Sequence, residues 1–257
     1  MGSALSTLSS ALTKDAESPS YDGNPSEQDV ILVREFLVNL FPLELVEDIL
    51  FFAEYWPCVW ADSSLEIDAI ASLNISTEST WLYVISPPVL PREILGVQNR
   101  HRRVRKVRFE MESVDQGWVD VPPENRGTSW SWFEATIFRA SASPCWHDLT
   151  ATPFNLGASF NSSDIKELFP EPDPNGWHIQ SNIVACKEPQ LHSVTWYEFE
   201  DEEAHAIPTS LKGREGLGHE LVRSLEPGDR VMLIAKAKFP GWENHVFQGS
   251  IEIYYSV

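Results

Sequence analysis

The sequence predicts a mainly β fold: a β-sandwich of jelly-roll-like architecture carrying a short N-terminal helical hairpin. Three observations lead there. Aromatic side chains are abundant, with 10 Trp and 13 Phe in 257 residues, and such side chains suit pleated surfaces. Seven or eight segments have strand-like patterning, separated by Pro- and Gly-rich turn signals and not by alternating helices. Clear helical periodicity is confined to residues 27–57.

Residues 1–26 are rich in Ser, Ala, Asp, Pro and Gly and lack apolar periodicity, as in a disordered arm. The opening Met1-Gly2-Ser3-Ala4-Leu5-Ser6 fits an N-myristoylation pattern on Gly2. One acyl chain gives only weak membrane contact, and Lys14 is the single basic residue of this arm.

The helical segment, 27–57, opens with Ser26 and Asp29, a capping box with Asp in place of the usual Glu or Gln. Residues 30–37 are apolar on more than one side. Pro42 suits a helix start, and Leu45, Val46, Ile49, Leu50 and Ala53 follow at helical spacing. Pro57 is expected to stop this second helix. Residues 58–103 read as a linker with one strand, 80–86, which joins the β domain of 104–257.

Within that domain Val107, Phe109 and Met111 alternate with Lys106, Arg108, Glu110 and Glu112, the pattern of a half-buried strand. In 130–138, Trp130, Trp132, Glu134, Thr136 and Phe138 fall on one face. Further strands are expected at 177–185, 193–199, 230–238 and 246–255. Turn signals lie at 122–123, 172–176, 227–229 and 240–241. Two short helices are expected, near 163–168 and 218–225.

Charge and composition narrow the function. With 19 basic against 38 acidic residues the net charge is −19, which repels nucleic-acid phosphates, so nucleic acid is not an expected partner. Cys58, Cys145 and Cys186 are too few and scattered for a disulfide framework or a zinc site, and suit a reducing compartment. No apolar run reaches the ~18–20 residues of a membrane span, and no secretory pattern opens the chain. The expectation is a soluble protein, cytoplasmic with the nucleus as the alternative, and with no transmembrane segment.

Chemistry leaves no trace in the motifs. There is no Gly-x-Ser-x-Gly elbow, Walker loop, dinucleotide glycine turn or His-Glu-x-x-His. The seven histidines have no ligand spacing, and Trp146-His147-Asp148 sets an imidazole beside a carboxylate that adjacent positions seldom bring face to face. No catalytic residue, metal or cofactor is expected, and the chain reads as a binding protein, not an enzyme.

Two resemblances add to this. The stretch Phe41-Pro42-Leu43-Glu44-Leu45-Val46-Glu47-Asp48-Ile49-Leu50 resembles the opening of an F-box, a likeness that ends at Trp56-Pro57; it implies a ubiquitin-ligase scaffold as partner. From about residue 104 the chain is similar to a family of fungal proteins with no assigned activity. The likeness rests on Asp115-Gln116-Gly117-Trp118, Ser131-Trp132-Phe133-Glu134-Ala135, Ile183-Val184-Ala185 with Val194-Thr195-Trp196, and Pro227-Gly228-Asp229-Arg230-Val231 through Ala235 to Trp242. Ile234 departs from that family, which carries Trp there. The resemblance implies a shared β domain and no activity.

Three surfaces follow as candidates. The first is the apolar side of the hairpin, Leu45, Ile49, Leu50, Phe52, Tyr55 and Trp56, for docking a protein partner. The second is the Asp115, Gln116 and Trp118 turn, where an exposed Trp would stack on a sugar or other small ligand beside paired polar groups. The third is the basic run 100–108, centred on Arg102, Arg103, Arg105 and Lys106. It reads either as a nuclear localisation signal or anion patch, or as a strand pairing with the acidic loop 198–203; the surplus of acid favours the pairing.

Overall fold

The computed structural model describes residues 23–73, 77–90, 102–119, 127–139, 176–199 and 206–257. The chain divides into two compact units, Met1–Pro57 and Cys58–Val257. Gly2, Cys145, the Trp146-His147-Asp148 triplet and the helix expected near 163–168 lie outside the described residues.

The first unit holds α1 (Glu27–Val38) and α2 (Leu43–Phe52). The capping box at the start of α1 is formed: Ser26 Oγ accepts from the Asp29 N–H, and the Asp29 carboxylate accepts from the Ser26 N–H at 2.9 Å. Pro42 is the N-cap of α2. The end of α2 corrects the expectation that Pro57 stops it. The helix closes at Phe52 through a Schellman motif, in which Tyr55 N–H donates to Leu50 O and Glu54 N–H to Phe51 O, both at 3.0 Å. Glu54 takes the left-handed turn at φ 47° that glycine usually supplies.

The second unit is a β-sandwich. Its strands are β1 (Cys58–Ser63), β2 (Ile67–Ile70), β3 (Glu78–Ile85), β4 (Val104–Val114), β5 (Ser131–Phe138), β6 (Trp177–Ser181), β7 (Gln190–Tyr197), β8 (Ile207–Ser210), β9 (Gly213–Glu215), β10 (Arg230–Lys238) and β11 (Glu243–Tyr255), with α3 (Gly218–Ser224) before β10. One sheet runs β1-β11-β4-β7, with β2 also on β11; the other runs β3-β10-β5-β6-β9-β8.

The pairing explains the architecture. β5 pairs with β6, β4 with β7, β3 with β10 and β1 with β11, each antiparallel. This is one nested hairpin ladder folded over on itself, and β11–β4 and β10–β5 contacts complete the two sheets. That arrangement is a jelly roll. The segment 58–103, expected to carry one strand, contributes three among its described residues. β1 and β2 are short and broken by polar residues, and long-range pairing with β11 holds them in place.

Between the sheets lie Val107, Phe109 and Met111 of β4, Phe133 and Ala135 of β5, Leu233 of β10, and Ile251 and Ile253 of β11, all buried. Each large one contributes about 1.5–3 kcal/mol by leaving water. The alternation in β4 sets these residues inward as its sequence pattern requires. β5 differs, being buried on both faces over its whole length. β6 ends at Ser181, short of the expected 185, because the next side chain, Asn182, turns into the sheet-to-sheet gap. There it donates to Ser131 Oγ and Asn244 Oδ1 at 2.9 Å.

Candidate functional site

The hairpin's apolar residues split into two sets. Leu45, Ile49 and Phe52, at i, i+4 and i+7 of α2, are exposed, Phe52 to 80 %. Leu50 and Trp56 are buried, and Tyr55 is half-buried. The exposed stripe is wider than the sequence suggested, since Leu32, Phe36, Leu40, Phe41 and Leu43 are exposed too. Residues 23–57 carry seven acidic side chains and one arginine, Arg34, which pairs with Glu47.

The Asp115-Gln116-Gly117-Trp118 turn is held by its own polar groups. Asp115 is buried, and its Oδ1 accepts from the Gly117 N–H at 2.8 Å while Oδ2 accepts from Ala185 N–H. Burial pushes its carboxyl above the usual range, against the N–H groups of Gly117, Ala185 and Cys186. Gln116 Nε2 donates to Trp118 O at 2.8 Å, and Gly117 sits at φ 76°. Of the three candidate side chains only Trp118, 55 % exposed, is presented outward.

The basic run lies along β4. Arg103 and Arg105 pair with Glu198 just beyond β7, Lys106 stands 4.1 Å over the Tyr254 ring, and Arg108 reaches Glu110 and Glu252. Arg102 is half-buried and also engaged. This is the internal pairing with acid that the charge surplus favoured, at Glu198; residues 200–203 lie outside the described chain.

A further constellation was not apparent from spacing. On the outward face of the second sheet, a β-bulge shifts the β5–β6 register between Phe133 and Glu134. Trp132 therefore opposes Ser181, and Glu134 opposes His178. The bulge brings His178 and Ser181, three positions apart, onto one face, with His178 Nε2 3.0 Å from Ser181 Oγ. Lys212, in the turn between β8 and β9, donates its ammonium to the same oxygen at 3.1 Å and lies 5.2 Å from the Trp130 ring centre. Beside them the Trp132 indole N–H donates to Glu134 Oε1 at 2.8 Å, and Lys236 pairs with Glu134 Oε2 at 3.0 Å.

The electrostatics of this cluster are unusual. Burial pulls His178 down to about 4, with Glu215 opposing and Lys212 adding to the shift. Burial also lowers Lys212, which is only 6 % exposed, against the pull of Glu215. Its hydrogen-bond partner among the described residues is a hydroxyl, not a carboxylate. Burying an ammonium in that way is costly. Among the described residues no group of three His, Cys, Asp or Glu side chains forms a metal site, and no helix is long and apolar enough to cross a membrane.

No protein-family model matches the chain, and no curated protein matches it in sequence.

Proposed function

We propose that the chain is a protein-interaction module that docks its partner through the N-terminal helical hairpin. The observation that carries this reading is the exposed apolar stripe of Leu45, Ile49 and Phe52 on α2, beside which Leu32 and Phe36 of α1 are exposed at helical spacing of their own. Contiguous apolar side chains at helical spacing are the form in which an amphipathic helix enters a partner's groove. The acidic surroundings, Glu44, Glu47 and Asp48, favour a groove rimmed by basic side chains. A ubiquitin-ligase scaffold is the partner that the F-box-like opening suggests. Affinity purification of the tagged full chain, beside Leu45→Asp/Ile49→Asp, tests this reading. Partners recovered by the native chain and lost from the variant support it; equal recovery by both refutes it.

A second reading, a small-ligand or carbohydrate site, is favoured by the exposure of Trp118. With Asp115 and Gln116 engaged internally, binding there would rest on stacking by the indole. A glycan array without hits, together with tryptophan fluorescence unmoved by sugars, rejects it.

A further inference from the structure

We propose that Ser181 is a reactive serine, with His178 as its base and Lys212 as the cation that holds its oxygen, able to take an acyl group from an activated carboxylic ester. This goes beyond the docking reading and is independent of it.

The geometry supplies the argument. A serine becomes nucleophilic when a base lies within hydrogen-bond reach to take its proton. Ser181 Oγ has His178 Nε2 at 3.0 Å and the Lys212 ammonium at 3.1 Å. The ammonium can only donate, so the hydroxyl hydrogen points to the imidazole, which accepts it on Nε2. His178, half-buried and with its value pulled well below the usual imidazole range by desolvation, is neutral at pH 7 and competent as that acceptor. Lys212 stabilises the negative charge that grows on oxygen as the proton leaves. Both Ser181 and His178 are half-buried, so neither residue is sealed within the core.

Two features separate this cluster from ordinary sheet polarity. The bulge in β6 is what puts His178 and Ser181 on a common face, and bulges re-aim side chains beside active sites. Among the described residues the buried Lys212 ammonium hydrogen-bonds a hydroxyl, with Glu215 acting on it only through space, whereas Lys236 in the same sheet pairs directly with Glu134. In the step itself, Ser181 Oγ bonds to the ester carbonyl carbon and the ester C–O bond breaks. The serine proton passes to His178 Nε2 and then to the departing alkoxide. The products are an acyl-serine and a free alcohol.

The test uses the full chain and a fluorophosphonate probe, in which Ser181 Oγ bonds to phosphorus and fluoride leaves. Peptide mass mapping should find the adduct on Ser181, formed at least 10-fold faster in the native protein than in the urea-unfolded chain. His178→Gln, checked for folding by tryptophan fluorescence, should slow it at least 10-fold. Ser181→Cys offers a second route that keeps side-chain size: the new thiol should be alkylated by iodoacetamide faster in the folded than in the unfolded protein. Absence of an adduct on native Ser181 overturns the proposal. So does labelling that is no faster than in the unfolded chain, or unchanged in a folded His178→Gln. Those results would make the cluster a structural tie between β6 and the β8–β9 turn.

Discussion

The side-chain amide of Asn182 donates to Asn244 Oδ1 at 2.9 Å inside the gap between the two sheets. Asn244 in turn donates to the backbone carbonyls of Trp132 at 3.0 Å and Lys236 at 3.3 Å. Ser113 Oγ donates to Asn182 Oδ1 at 2.7 Å. One sheet thus grips two strands of the other through a polar chain whose members are all buried. Removing one member leaves its buried partners short of a hydrogen bond. Asn244→Ala is expected to cost about 2–4 kcal/mol in urea unfolding, and Asn182→Ala a similar amount. In the double variant the losses should fall short of additive by more than about 0.5 kcal/mol. Strict additivity would show that the two amides act separately.

Gly218, the first residue of α3, lies against the Trp196 ring, which a Cβ at that position would penetrate. Trp196 itself packs edge-on to Phe109 at 5.0 Å between ring centres. Gly218→Ala normally gains up to about 1 kcal/mol of helix propensity. Here overpacking should reverse the sign and cost about 1–3 kcal/mol. Calorimetry should show Tm falling by several degrees; a rise would mean that α3 can shift away from the ring.

The legible parts of this fold are those where one local signal decides. Val107, Phe109 and Met111 alternate without interruption and turn inward, and β10 spans Arg230–Lys238 as its pattern requires. Ser26 and Asp29 form the cap that their spacing implies. Where long-range pairing or backbone geometry decides, the residues are silent. β1 and β2 are too short and polar to stand out, and β11 completes them. The end of α2 depends on a left-handed Glu54 that carries no glycine signal. His178 and Ser181 sit at an odd separation that simple strand alternation puts on opposite faces. The bulge that unites them is invisible in sequence, as is the return of Lys212 from 31 residues away.

Acid should weaken the protein through His178. Its folded value of about 4 lies below the ordinary 6.5, with burial as the main cause, Glu215 on β9 opposing and Lys212 adding. Glu134, opposite it on β5, is occupied by Trp132 and Lys236. Protons then bind the unfolded chain more readily between those two values, so stability is fully present above about 6.5 and falls as pH drops toward 4. The contribution is of the order of 2 kcal/mol, reduced from the full shift because the ring is only half-buried. Urea midpoints across this range should slope less steeply in His178→Gln than in the native protein. Parallel slopes would place the imidazole in water.

Cys58, at the start of β1, should resist thiol reagents. Burial pushes its thiol up to about 12, and Glu252 on the neighbouring strand adds to the effect. Since the thiolate is the reactive form, alkylation at pH 8 should be at least about 100-fold slower in the native protein than after unfolding. Peptide-resolved mass spectrometry reads this site alone. Equal rates in the two states would mean that β1 detaches from β11 easily.

The hairpin offers a way to separate docking from folding. Leu45 and Ile49 are exposed on α2, whereas Leu50, the residue after Ile49 on the adjoining face, is 7 % exposed. A charge at the first two stays hydrated, so Leu45→Asp/Ile49→Asp should cost no more than about 1 kcal/mol. Leu50→Asp buries a carboxylate and loses an apolar side chain, which should cost above about 3 kcal/mol or melt the helix outright. Partner capture should be lost in both, for different reasons: surface in the first, structure in the second. Circular dichroism separates the cases, since the double variant should keep the native helical signal. Loss of that signal in Leu45→Asp/Ile49→Asp would show the stripe to be part of the hairpin's own packing, and would remove the main support for docking.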